Sequence, residues 1–200
     1  GPTLIAQDGN SYWLSEDFGK TWTVMTAPFA GYVESLTRVG SDMLIASQGS
    51  AYSSMVSVDK GRSWRQLVLG PDGVPYGAPA PTRYSGDVAF LDAKTGLLLD
   101  STGKLLATID GGQTWTVRRG DLPLGGGSLH VVDAQTVVFR DKDGRLLRSS
   151  DRGMTWVTDI STARYSKIEL GKSGGGWGVD TSDNLVATQD GGQTWTRVTR

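Results

Sequence analysis

Short apolar runs alternate along this chain with clusters of glycine, aspartate, asparagine and serine. The clearest unit is residues 86–91 (GDVAFL), 96–100 (GLLLD), 104–108 (KLLAT) and 114–118 (TWTVR). Runs this short, rich in β-formers and bounded by turn residues, predict four strands of an antiparallel sheet. The same succession of elements runs through residues 32–69, 129–159 and 165–199. Near the start, residues 3–7 (TLIAQ), a turn at Asp8-Gly9-Asn10, residues 11–14 and residues 21–25 give three strands. Only Gly1 and Pro2 precede Thr3, so the first unit is expected to lack its innermost strand.

Each unit carries one octapeptide: SEDFGKTW (15–22), SVDKGRSW (57–64), TIDGGQTW (108–115), SSDRGMTW (149–156) and TQDGGQTW (188–195). All fit Ser/Thr, any residue, Asp, any, Gly, any, Ser/Thr, Trp. The closing Trp22, Trp64, Trp115, Trp156 and Trp195 lie 42, 51, 41 and 39 residues apart. A fixed period near forty, one motif per unit, is the signature of a repeat architecture. The second interval exceeds the others by too few residues to hold another unit. The expectation is an all-β, five-bladed β-propeller of four-stranded antiparallel blades, one domain over residues 1–200. The blades are assigned to residues 3–26, 32–69, 86–119, 129–160 and 165–199, the first incomplete at its innermost strand.

The octapeptide has a physical logic. Asp17, Asp59, Asp110, Asp151 and Asp190 sit in turns, where a carboxylate accepts bonds from backbone N–H groups just ahead of it. Gly19, Gly61, Gly112, Gly153 and Gly192 supply the positive φ that closes such a turn. The Ser/Thr that follows can return a hydroxyl to the Asp, and the Trp is expected to bury its ring between neighbouring sheets. These positions are therefore read as structural, with no catalytic or metal role.

The pattern resembles the Asp box, or BNR repeat, of β-propellers such as sialidases, sortilin-type receptors, xyloglucan-degrading enzymes and photosystem II assembly-factor-like proteins. The DGGQTW form at 110–115 and 190–195 is similar in style to the stability/assembly-factor group. The resemblance implies the fold; a shared fold does not fix an activity. It also implies an extracytoplasmic protein, periplasmic or secreted.

Composition narrows the partners. The formal net charge is −1, which gives no electrostatic reason to expect nucleic acid. No apolar run approaches the roughly 18 residues of a spanning helix, so no membrane insertion is expected. There is no cysteine, hence no thiol chemistry. The opening Gly1-Pro2 reads as a cleavage scar, with any export signal outside the sequence. No cofactor motif occurs: no phosphate loop or dinucleotide fingerprint follows a strand and opens a helix. Asp141-Lys142-Asp143-Gly144 opens like a calcium loop but lacks the later ligands, and reads as a hairpin turn.

In a propeller the turns between third and fourth strands lie on one face. The connections between blades, with the second-to-third-strand turns, build the opposite mouth. The connection at residues 70–85 (GPDGVPYGAPAPTRYS) holds four of the seven prolines and Tyr76 and Tyr84. Arg83-Tyr84-Ser85 and Arg164-Tyr165-Ser166 precede equivalent innermost strands, and Tyr32 stands at the same place in the second unit. Tyr32, Tyr76, Arg83, Tyr84, Arg164 and Tyr165 are therefore the candidate binding residues, since Tyr and Arg commonly anchor interfaces. The competing reading is that these tyrosines close the ends of the core. The resemblance to sialidases implies an arginine triad and a Tyr–Glu pair, and the family's early arginine motif is absent. The glutamates are Glu16, Glu34 and Glu169; the last two fall on matching inner strands. A glycosidase needs two carboxyls about 5–10 Å apart, and nothing further in the sequence promotes this pair. His130, the only histidine, lies in an innermost strand and reads as packed or solvated. The function expected is non-catalytic protein binding or complex assembly. The alternative is a glycan-directed protein, lectin or hydrolase.

Overall fold

The computed structural model describes residues 4–8, 11–26, 33, 35–40, 42–47, 54–67, 87–99, 104–119, 127–158 and 163–199. These residues form five antiparallel sheets and no helix. The first sheet has three strands, β1 (Leu4–Asp8), β2 (Ser11–Ser15) and β3 (Thr23–Met25). The second runs β4 (Ser35–Val39), β5 (Met43–Ser47), β6 (Met55–Ser57) and β7 (Arg65–Gln66). The third is β8 (Asp87–Phe90), β9 (Gly96–Leu99), β10 (Leu105–Thr108) and β11 (Thr116–Arg119). The fourth is β12 (Gly127–Val131), β13 (Val137–Asp141), β14 (Leu146–Ser149) and β15 (Val157–Thr158). The fifth is β16 (Tyr165–Leu170), β17 (Gly176–Asp180), β18 (Leu185–Thr188) and β19 (Thr196–Arg197). Every sheet is a meander in chain order, and every octapeptide joins its last two strands. This is the five-bladed, all-β organisation expected, with the first blade a strand short of the others.

Contacts group the chain into two compact units, Gly1–Thr82 and Arg83–Arg200. The boundary falls within the proline-rich stretch at residues 70–85. The first unit holds the first two sheets, whose shared core is built by Tyr12, Leu14, Met25, Leu44 and Ala46, with Trp64 packed against it.

In the second unit the central strands are apolar without alternation: β9 reads GLLL and β10 LLAT, and every residue of both is buried. Strands covered on both faces need no polar side, so their sequence loses the period of two. Ala89, Leu97, Leu99, Leu105 and Ala107 of the third sheet meet Leu129, Val137, Phe139 and Leu147 of the fourth. The fourth sheet's other face gives Val132, Val138 and Leu146 to Tyr165, Ile168 and Val186 of the fifth. Burying one such Leu fully is worth about 1.5–3 kcal/mol. Outermost strands carry the exposed residues, among them Val24, Val117 and Val157.

The box tryptophans differ from expectation. Trp64, Trp115, Trp156 and Trp195 are half-buried rather than fully covered, and Trp22 is 43% exposed. The rings of Trp22 and Trp195 lie beside their own box glycines, within 3.5 Å of where a Cβ would stand. Trp115, Trp156 and Trp195 pack against an aromatic of their own sheet: Phe90, Phe139 and Tyr165 respectively. Trp22, Trp156 and Trp195 donate their indole N–H to the carbonyl of the box glycine, whereas Trp64 donates to Thr26 of the preceding sheet. The buried Nε1 of Trp115 has no hydrogen-bond partner.

Two box glycines, Gly61 and Gly153, also let a box approach the preceding sheet closely, where a Cβ would meet Met25 and Leu97 respectively. A Cβ at Gly153 would lie 2.9 Å from Leu97 Cδ1 and 3.3 Å from Leu105 Cδ2, both in the preceding sheet and wholly buried. At Gly19 a Cβ would meet only Leu4 and Trp22 of its own sheet, at 3.5 Å. The two φ values are nearly equal, 82° and 83°. Gly19→Ala should therefore cost only the left-handed backbone penalty, about 1–2 kcal/mol. Gly153→Ala should add overpacking, about 1–3 kcal/mol more. Denaturant unfolding of the two variants measures the difference; equal losses would contradict the stacking role.

Candidate functional site

The boxes come first because they define one end of each sheet. In the third sheet, Asp110 Oδ1 accepts from Thr108 Oγ1 at 2.7 Å and from the Gln113 and Thr114 amides at 2.9 Å. Asp110 Oδ2 accepts from Thr114 Oγ1 at 2.6 Å, and the Gly112 amide donates to Thr108 Oγ1 at 2.9 Å. Apart from the Gln113 bond, the same set recurs around Asp17, Asp59, Asp151 and Asp190. Two successive residues take positive φ in each box, not the glycine alone: Phe18, Lys60, Gly111, Arg152 and Gly191 precede it at 60–74°. That conformation lets the backbone amides converge on one carboxylate.

Hydrogen bonding holds all five box carboxyls down, to about 2. The partner hydroxyl is the largest cause at Asp17 (Thr21), Asp59 (Ser63) and Asp151 (Thr155). At Asp110 and Asp190 burial is the largest influence and pushes upward, but the hydroxyls and amides together outweigh it. Both oxygens of every box carboxylate are thus occupied within the turn.

The boxes bond to the turns between first and second strands of their own sheets: Lys60 N to Asp42 O, Gly111 N to Lys94 O, Arg152 N to Gln135 O and Gly191 N to Gly174 O. These turns therefore share the box end. The other end is marked by the second-to-third-strand turns. Tyr165 N donates to Gly144 O of the fourth sheet, and Thr181 N donates to Arg164 O. Gly144 has φ +78°, and a Cβ there would lie 2.6 Å from Tyr165 O, so only glycine lets the connection approach. Arg164 and Tyr165 thus stand at the end opposite the boxes, as the topology of a propeller requires.

Arg164 is half-buried there and donates to Ala163 O at 3.2 Å. Tyr165 is only 2% exposed, with its ring centroid 5.0 Å from that of Trp195. Its ring is core, the competing reading of the sequence, because the first residue of β16 points between the fourth and fifth sheets. Tyr32, Tyr76, Arg83 and Tyr84 lie outside the described residues, as does Glu34. Glu169 is exposed.

Of the residues at this end, Arg140, Ser128, Asp87 and Asp180 were not singled out from sequence, whereas His130 and residues 141–144 were. Arg140 of β13, opposite Ser128 in the ladder, donates to Asp141 O and Tyr165 O. Ser128 Oγ lies 2.8 Å from His130 Nε2. Burial, with the Arg140 charge secondary, pulls the His130 pKa down to about 4, leaving the ring neutral near pH 7. Asp87 Oδ2 accepts from Leu129 N at 2.7 Å, tying the inner strands of the third and fourth sheets, and burial pushes its carboxyl up. Asp141 accepts from the Asp143 and Arg145 amides and from Arg145 Nε, which makes residues 141–145 a stapled hairpin turn. Asp180 does the same for Ser182 and Asn184. At the box end, Asp92 and Asp133 cap turns of matching sequence, DAKT and DAQT. That recurrence was visible in the sequence and would have found them. A cleft of about 340 Å³ also opens at the box end between the fourth and fifth sheets, lined by Val138, Leu146, Arg148, Asp151, Val157 and Gln193. No group of three metal-ligating side chains occurs among the described residues.

The depressed box carboxyls set an acid limit. Each ionised form is favoured by the fold, so its contribution is complete above the ordinary aspartate value of 3.8 and is lost as pH falls through about 2. The melting temperature should be level near neutrality and fall steeply between about pH 4 and 2. Asp110→Asn should lower it at pH 7 and flatten the acid slope. An unchanged slope would contradict the assignment.

A profile of the BNR-Asp box repeat matches residues 13–25. No curated protein sequence matches the chain significantly. Among solved structures, the chain is similar to YCF48 from Cyanidioschyzon merolae, at 16% identity and a TM-score of 0.59, over 94% of this chain and 66% of that one. A structure of YCF48 bound to D1 peptide is similar at 16% identity and TM-score 0.59, over 98% of this chain and 78% of that one. The GH74 xyloglucanase from Xanthomonas campestris is similar at 18% identity and TM-score 0.59, over 98% of this chain and 36% of the enzyme. The chain thus spans less than two thirds of the length of the algal structure and of the enzyme. Likeness at such identity speaks for the fold alone. With five octapeptides stapling five meander sheets, the chain carries the Asp-box (BNR) repeat and shares the fold of the β-propellers it resembles.

Proposed function

We propose that this chain is a non-catalytic binding propeller that holds a protein partner at the end opposite its Asp boxes. The observation that supports this most is the self-containment of the boxes. The box carboxylates spend both oxygens on their own turns. At the other end Arg140 donates to the backbone carbonyls of Asp141 and Tyr165, bonds that orient its guanidinium. A guanidinium so held suits a carboxylate of a partner. That YCF48 has been seen with a D1 peptide supports protein over sugar as ligand. Arg83, Tyr84, Tyr76 and Tyr32, which lie outside the described residues, are assigned the same role on sequence grounds alone. The same reading puts the protein outside the cytoplasm, which fractionation of the native host tests.

The test is a partner recovered by crosslinking from the native host, with affinity then measured on the purified pair. Arg83→Ala combined with Arg164→Ala should weaken binding by about 2–4 kcal/mol, as loss of interface anchors does. The melting temperature should barely move. Alanine at Arg62 or Arg152, on the box end, should leave affinity unchanged; a loss there and not at Arg83 and Arg164 would mean the wrong end.

The similarity to a xyloglucanase favours a second reading, a glycan-directed protein. The first reading expects no turnover of xyloglucan, β-glucan or sialoside. Hydrolysis abolished by Glu34→Gln or Glu169→Gln would overturn it.

A further inference from the structure

Within the second unit, the seam between the third and fourth sheets and the seam between the fourth and fifth differ at corresponding positions. Leu97 and Val138 each pair with the residue just before a box, which is Ala107 in the third sheet and Arg148 in the fourth. Leu105 and Leu146 each stand three residues before a box. Against the third sheet the fit is tight: a Cβ at Gly153 would lie 2.9 Å from Leu97 and 3.3 Å from Leu105. Against the fourth sheet it is not. The three atoms nearest a Cβ at Gly192 belong to Trp195 and Leu170 of its own sheet, none closer than 3.4 Å. The fifth box touches the fourth sheet through Gly191 instead, where a Cβ would lie 2.6 Å from Val132 and 3.3 Å from Arg148 Nη1.

The cleft of about 340 Å³ opens where this second seam is loose. Buried Val138 and Leu146, the counterparts of Leu97 and Leu105, form its floor, and exposed Val157 is an apolar wall. Arg148 is the one cationic side chain lining it. A half-buried guanidinium thus stands between sheets where the neighbouring seam has the methyl group of Ala107. A charge in such a place costs stability unless it is bonded. The bond to Gly191 O engages Nη1, whereas a guanidinium carries five N–H donors in a planar fork. Asp133 lies near enough to sense the charge, but accepts from the Gln135 and Thr136 amides of its own turn. Asp151, the cleft's one carboxylate, has both oxygens taken by Ser149 and Thr155. Arg148 is therefore the group there with charged donors to offer.

Small-molecule sites span about 300–1,000 Å³ and are mostly apolar with a few placed polar groups. This cleft has that composition at the lower end of the range. At about 30 Å³ for each water displaced, it has room for roughly a dozen heavy atoms.

We propose that the cleft binds a small monocarboxylate with an apolar body. The body lies on Val138, Leu146 and Val157, and the carboxylate accepts from the Arg148 guanidinium, a charge-assisted pairing. One carboxylate suits the cleft and two do not, because a second would face ionised Asp151. The site is at the box end, so it stands whether or not a protein binds at the other.

Titration of the whole chain with phenylbutyrate tests this, followed by NMR of the Val138, Leu146 and Val157 methyl groups and the Gln193 side-chain amide. These signals should shift saturably at millimolar ligand or below. Phenylbutyramide has the same shape without the charge and should bind at least about tenfold more weakly, as loss of a charged hydrogen bond implies. Arg148→Met keeps the stem, removes the charge, and should bring phenylbutyrate to the level of the amide. Val157→Trp, at an exposed position, should close the cleft and abolish binding, and it decides the matter if Arg148→Met does not fold. The absence of a saturable shift, or equal affinity for acid and amide, would overturn the proposal. So would undiminished binding by Val157→Trp. Inorganic phosphate that moves the same signals as strongly would also overturn it, by showing a plain anion site.

Discussion

A carboxylate surrounded by its own turn is the constraint on which this protein depends. Asp110 takes two backbone amides and two hydroxyls, all from residues 108–114. Bonds to a charged acceptor are stronger than neutral ones, and these need no distant partner, so each box can form within its own hairpin. The consequence is geometric. With two successive left-handed residues fixed by those bonds, the third strand delivers the chain to the fourth at one angle, and the Trp falls across the end of the sheet. Repeating that unit five times repeats the angle.

Local stapling leaves the sheets to be joined by packing, and there the glycines and leucines divide the work. Gly153 is small so that Leu97 and Leu105 can be large. Bonds across the same junctions reinforce the contact: Arg118 Nη1 reaches Arg152 O, Arg148 Nη1 reaches Gly191 O, and Thr26 N reaches Gly61 O. At the opposite end the connections are held by backbone contacts such as Tyr165 N to Gly144 O. The box carboxylates are satisfied within their turns, and at the opposite end Arg140 donates to the carbonyls of Asp141 and Tyr165.

The boxes were legible because everything they need lies within eight residues. So was the strand pattern, since β9 and β10 are apolar throughout for a reason that sequence can state. The second left-handed residue was not legible: Phe18, Lys60 and Arg152 are poor choices for positive φ, and only the DGG boxes hint at it. Tyr165 could be core or surface until its ring was found on Trp195. The exposure of Trp22 was hidden for a different reason. Its sequence matches the other boxes, and its environment depends on a neighbouring sheet, which no local pattern encodes. Arg140 went unremarked because an arginine mid-strand has no motif around it; only its register opposite Ser128 brings it to the mouth.

Hydrogen exchange at the box amides tests the central claim most directly. The Gly112 and Thr114 amides donate to side-chain oxygens, not to a strand partner. They should exchange as slowly as the Leu106 and Ala107 amides of adjoining β10, and both sets should be released together under denaturant. Box amides that exchange at the rate of an open loop, while β10 stays protected, would contradict the view that the carboxylate turn holds the blade together.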